Sequence, residues 1–130
     1  MINFLSDKFE SHSNLVRHHI NFTNTRGSVL ETSYIVSAFV SNIYLGQTTY
    51  DIKIIANLFD NSPPPPINPP MYNIDIQGKN VILIGNSFKR SSLSHINIGN
   101  SATSTQIIGN SYDLTNGEKN VTGNLDNIVK

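Results

Sequence analysis

The chain has 130 residues, with nine Lys and Arg against nine Asp and Glu; this length suits one compact core, and the charge gives no general pull toward nucleic acid or an anionic membrane. Charged residues make up only 14% of the chain while asparagine occurs 18 times, and cysteine is absent, so neither disulfides nor thiolate-bound metal hold the fold. Nothing approaches the ~18 consecutive apolar residues of a membrane span, and Asp7, Lys8 and Glu10 stand where an export signal would need an apolar stretch, so a chain without its own signal and without membrane insertion is expected.

Residues 1–19 read as an N-terminal cap or connector, with a short capping helix expected from Phe4 to Leu15. From residue 20 to 130 short β-branched segments are punctuated by Gly, Asn and Ser, the composition of strands and tight turns. An apolar residue, any residue, then a second apolar one recurs as Ile20/Phe22, Ile43/Leu45, Ile74/Ile76 and Ile96/Ile98. Between the second and third of these lies Ile54-Ile55-Ala56-Asn57-Leu58-Phe59, followed by a Pro-rich insertion at 61–72. Its six prolines cannot supply ladder hydrogen bonds and prefer polyproline II, so the insertion is expected to loop out.

The second half repeats. Ile84-Gly85-Asn86-Ser87 matches Ile108-Gly109-Asn110-Ser111 at an offset of 24, which also places Phe88 on Tyr112 and Gly99-Asn100 on Gly123-Asn124. Upstream, Ile54 to Phe59 matches Leu83 to Phe88 at an offset of 29, the added length falling at the prolines. A repeat of this period predicts two or more strands per coil and about five coils, stacked roughly 4.8 Å apart. Equal positions then form columns: Ile54, Leu83 and Ile107 inside, Phe59, Phe88 and Tyr112 as an aromatic stack, and Asn57, Asn86 and Asn110 as an asparagine ladder. The row Ile55, Ile84 and Ile108 lies either outward, against neighbouring chains, or at a buried corner. An antiparallel sandwich is the rival reading of short strands with Gly/Asn turns.

The segments Val81 to Phe88 and Gln106 to Tyr112 resemble coils of the pectate-lyase-like superfamily, which includes phage tailspike and tail-fibre β-helices. The resemblance implies an all-β, right-handed, single-stranded parallel β-helix, a virion or extracellular setting, a homotrimer and a polysaccharide partner; without it the chain reads as cytoplasmic. Three functions stay open: a structural or glycan-contacting module of a tailspike-like surface-binding protein, a polysaccharide lyase or glycoside hydrolase, or a fragment of a longer β-helix protein without a ligand. Fold alone does not choose among them.

Glycan contact would fall on the outward column Asn21, Tyr44, Asp75 and Asn97, with Tyr44 stacking on a sugar face and Asp75 and Asn97 bonding hydroxyls. The plain alternative is an ordinary solvated surface. For catalysis, Asp75 partnered by Lys53 or Lys89 is the candidate, although cleavage by paired carboxylates needs two acids roughly 5 to 9.5 Å apart and the acids here are scattered. Asp60, Lys89 and Asp113 alternate in sign as an exposed charge ladder would. His12, His18, His19 and His95 show no ligand spacing, and no phosphate loop occurs, so no metal, cofactor or nucleic acid is expected.

Overall fold

The computed structural model describes residues 3–5, 8–10, 17–36, 40–61, 69–115 and 117–129. Its first coil holds β1 (Asn3–Leu5), β2 (Lys8–Glu10) and β3 (His18–Phe22); the second holds β4 (Arg26–Glu31), β5 (Tyr34–Val36) and β6 (Ser41–Leu45). The third holds β7 (Tyr50–Ile55), β8 (Leu58–Asp60) and β9 (Tyr72–Ile76), and the fourth β10 (Lys79–Ile84), β11 (Ser87–Lys89) and β12 (Ser94–Ile98). The fifth holds β13 (Gln106–Ile108), β14 (Ser111–Tyr112) and β15 (Lys119–Gly123), after which a 3-10 turn spans Leu125–Asn127. Every third strand returns to the same sheet, giving sheet A (β1, β4, β7, β10, β13), sheet B (β2, β5, β8, β11, β14) and sheet C (β3, β6, β9, β12, β15). All the strand pairings among the described residues are parallel, so they form a parallel β-helix with three strands per coil and not the antiparallel sandwich.

Alternation of side chains along each strand decides what the coil encloses. In β7, Ile52 and Ile54 are fully buried while Lys53 between them is exposed. Above and below Ile54 stand Leu30, Leu83 and Ile107, the expected interior column with one further member. Sheet C contributes Ile20, Ile43, Ile74 and Ile96, all buried, and sheet B contributes Ile35, Phe59 and Phe88. Phe59 and Phe88 stack at 4.8 Å, and Phe88 and Tyr112 at 5.5 Å. Each such buried side chain is worth roughly 1.5–3 kcal/mol relative to exposure, so continuous columns supply the cohesion that disulfides would otherwise give.

The A-to-B corner is made by one left-handed residue followed by a polar one. Ala56 (φ +53°) and Gly85 (φ +62°) turn the chain, and the next residues, Asn57 and Asn86, point inward as a ladder. Asn57 Nδ2 donates to Asn86 Oδ1 (3.0 Å) and Asn86 Nδ2 to Asn110 Oδ1 (2.9 Å). The same amides donate to the carbonyls of Leu30, Ile54 and Leu83, satisfying backbone oxygens that the corner takes out of the strand ladder.

Three expectations change. Where a helix was expected from Phe4 to Leu15, Asn3–Leu5 and Lys8–Glu10 are strands already paired with β4 and β5; positions 11–16 lie outside the described residues. The glycines Gly99 and Gly123 do not stack, because Ile98 is the residue in register with Gly123. The connection from sheet B to sheet C is one residue longer in the fifth coil, which ends the 24-residue offset after Tyr112. Of the two readings open for the isoleucine row the outward one holds: Ile54 is fully buried, whereas Ile84 is 36% and Ile108 49% exposed. The prolines fall between β8 and β9 in the sequence; of the loop expected at 61–72, positions 62–68 lie outside the described residues and Tyr72 already belongs to β9.

Candidate functional site

Sheet C presents the most varied polar face. Asn21, Tyr44, Asp75, Asn97 and Thr122 are in register on successive coils, so the expected column exists and gains a fifth member. At roughly 4.8 Å per step it extends about 19 Å along the axis. Beside it runs a second row in register, His18, Ser41, Tyr72, Ser94 and Lys119, in which Ser41 and Ser94 are fully buried and only Lys119 is exposed. The alternation that buries Ile74 and Ile76 is what turns Asp75 outward.

Asp75 is the one acid in the five strands of sheet C. Its Oδ1 accepts from Asn97 Nδ2 (2.9 Å) and Gln77 Nε2 (3.0 Å), while Oδ2 has no partner among the described residues. The Gln77 side chain lies where a Cβ at residue 99 would be, so only glycine at 99 lets it reach Asp75. Gln77 Oε1 in turn accepts from Ser101 Oγ (3.1 Å). Asp75 is thereby oriented by fixed amides with one oxygen open to solvent.

Two shallow hollows adjoin on this face. One, of about 700 Å³, includes Gln47, Gln77, Asn97, Asn100 and Ser101; the other, of about 350 Å³, includes Tyr72, Leu93, Asn97, Lys119 and Thr122. They share Asn97 and Gly123. Toward the first coil the His18 ring stacks on Tyr44 at 4.9 Å, and its Nδ1 is 2.7 Å from Ser41 Oγ. Burial, and next the Arg17 charge, hold the His18 ring below the usual histidine value, against an opposing pull from Asp75.

The catalytic candidates are not brought together. Asp75 is on sheet C, Lys53 on sheet A and Lys89 on sheet B, three differently directed outer faces. Lys89 Nζ is instead paired with Asp60 Oδ2 at 3.4 Å, as a charge ladder requires, and Asp113 is held by the backbone N–H and hydroxyl of Thr115. Among the described residues no group of three or more His, Asp or Glu is placed to hold a metal, and no helix is long and apolar enough to cross a membrane.

A second polar ladder escaped sequence reasoning. At the B-to-C corner Asn42 Nδ2 donates to Asn73 Oδ1 (2.8 Å), Asn61 Nδ2 donates to the same oxygen (2.8 Å), and Asn73 Nδ2 reaches His95 Nδ1 (2.9 Å). The signal was present, because all four apolar pairs of the sheet C series are preceded by Asn or His, namely His19, Asn42, Asn73 and His95, and Asn120 holds the same place before Val121. Tyr72 and His18 were missed because they stand two places before the first apolar residue, outside the three-residue pattern. Compared with protein families, curated proteins and solved structures, the chain matches none.

Proposed function

We propose that this chain is a glycan-contacting module of a surface-binding protein of the tailspike kind, with an extended polysaccharide lying along the outer face of sheet C. The observation that carries the reading is the column Asn21, Tyr44, Asp75, Asn97 and Thr122, one polar or aromatic group per coil, with hollows opening on both sides of Asn97. The step between coils is close to the length of one sugar in an extended glycan, so successive residues meet successive sugars. Tyr44 and Tyr72 offer ring faces to the C–H side of a pyranose, and the open Oδ2 of Asp75 accepts from a hydroxyl.

Binding is preferred to cleavage because hydrolysis by paired carboxylates needs a second acid across the sugar, and Asp75 stands alone in the strands of this face. A pectate-lyase-like ancestry and a trimeric assembly through the isoleucine row belong to the same proposal. The test is titration of the purified chain with a panel of bacterial capsular and pectic polysaccharides. A binding member is expected, with Tyr44→Ala and Asn97→Ala each weakening it by about tenfold or more. Solution viscosity and the absorbance of unsaturated sugars should stay constant. Absence of binding across the panel, or affinity indifferent to both substitutions, would remove the reading, and new unsaturated absorbance would replace it with a lyase.

A further inference from the structure

Sheet A carries a trough on its own outer face, apart from the sheet C column. Successive strands enter this sheet through a left-handed residue: Gly27 (φ +66°), Asp51 (φ +57°) and Asn80 (φ +53°), with Ser104 (φ +54°) in the same place before β13. Such a residue interrupts alternation and leaves two consecutive side chains unburied. They are Tyr50 with Asp51, Lys79 with Asn80 and Thr103 with Ser104, before the buried Ile52, Val81 and Thr105 restore the pattern. These added side chains wall two adjoining hollows. One, of about 210 Å³, is lined by Asp51, Lys53, Asn80, Ile82, Ser104 and Gln106; the other, of about 370 Å³, is lined by Arg26, Tyr50, Asp51 and Asn80.

The charges in the trough are unequally satisfied. Asp51 Oδ2 accepts from Arg26 Nε (3.1 Å) and Oδ1 from Asn80 Nδ2 (3.0 Å), so its carboxylate is already engaged at both oxygens. Lys79 Nζ sits 5.7 Å from the centre of the Tyr50 ring. Lys53, on the rim, is exposed and makes no hydrogen bond or ion pair among the described residues. Two cations, Arg26 and Lys53, thus line the hollows beside one engaged carboxylate, with Lys79 set against the Tyr50 ring. Ile82 supplies a half-buried apolar floor, and Asn80, Ser104 and Gln106 supply hydroxyl-bonding groups around it.

We infer that this trough is a second saccharide site, selective for a sugar bearing a carboxylate. The acid group meets the Lys53 ammonium, the C–H face of the ring rests on Ile82, and the remaining hydroxyls bond Asn80, Ser104 and Gln106. A neutral sugar would leave Lys53 without a partner and lose the charge-assisted contact.

The site does not depend on the sheet C reading, and one experiment separates them. The full ¹⁵N-labelled chain is titrated with a hyaluronan hexasaccharide at about 0.1 M salt, where surface charges still act over roughly 10 Å. The control is the same hexasaccharide after reduction of its carboxyl groups to alcohols. The acid form is expected to shift the amides of Lys53, Asn80, Ile82 and Gln106, the reduced form to leave them in place, and Lys53→Gln to weaken the effect by about tenfold. Because Lys53 is exposed, that variant should unfold at the same temperature as the parent. Equal shifts with the reduced sugar, no shift of these amides at millimolar acid sugar, or indifference to Lys53→Gln would each overturn the site. Shifts at Tyr44, Asp75 and Asn97 report on sheet C separately.

Discussion

At the corner between sheets A and B one backbone conformation is met by four residues: Thr32 (φ +52°), Ala56 (φ +53°), Gly85 (φ +62°) and Gly109 (φ +58°). A left-handed conformation disfavours any residue with a Cβ, and a β-branched one most. A Cβ added at Gly85 would meet nothing within 4 Å, so there the penalty is conformational alone. Gly85→Ala is therefore expected to lower unfolding free energy by about 0.5–1 kcal/mol, the left-handed strain being partly offset by a stiffer unfolded chain. Ala56→Gly should raise it by a similar amount, and urea midpoints at constant slope check both. The glycine and the inward asparagine after it were legible because Gly85-Asn86 and Gly109-Asn110 recur at one offset. The corner at Thr32-Ser33 was not, because neither residue type announces the role, although the Ser33 N–H still bonds Asn57 Oδ1 at 2.9 Å.

At the scale of elements, the B-to-C corner sets a titratable ring inside the coil. His95 is fully buried, stacked on Phe88 at 5.9 Å, with Nδ1 accepting from Asn73 Nδ2 and Nε2 donating to the Asp113 carbonyl at 2.8 Å. Only the neutral ring satisfies both partners, since a second N–H would face the Asn73 amide hydrogens. Burial pushes its pKa down, against weaker opposing effects of the Asp113 hydrogen bond and of the Glu118 and Asp113 charges. The unfolded chain, whose histidines titrate near 6.5, then holds more protons than the folded one between the two pKa values. Stability should be full above about pH 6.5 and fall as pH drops through that window, by no more than about 1.4 kcal/mol per pH unit for one histidine. His18, also lowered, adds in the same direction. His95→Gln should flatten the slope of unfolding free energy between pH 7 and 5, and an unchanged slope would assign it elsewhere. Only the Asn61 member of this corner lacked a signal in the sequence, because it joins the ladder from a connection and its spacing to Asn73 follows no coil period.

For the whole molecule, constant offsets revealed the winding wherever coils had equal length, and the columns at Ile54, Phe59 and Asn57 followed from it. The first coil stayed hidden because it lacks the Gly-Asn corner, and the fifth slipped by a residue where its B-to-C connection lengthens. Placement of Asp75, Lys53 and Lys89 on separate sheets could not be read without the number of strands per coil. The three-sheet geometry leaves Ile84 and Ile108 on the outside in adjacent coils, with Ile55 half-buried beneath them. A straight apolar row along a sheet is a hazard for a lone chain and an adhesive between copies. Self-association through this row is expected at high micromolar concentration, measured by sedimentation. Ile84→Lys combined with Ile108→Glu should weaken it by about tenfold or more, because both side chains would become charged in the contact. Opposite charges in neighbouring coils avoid repulsion within the chain, so the urea midpoint of the monomer should hold. A parent chain that stays monomeric at those concentrations would mean that water, not another copy, faces the isoleucines.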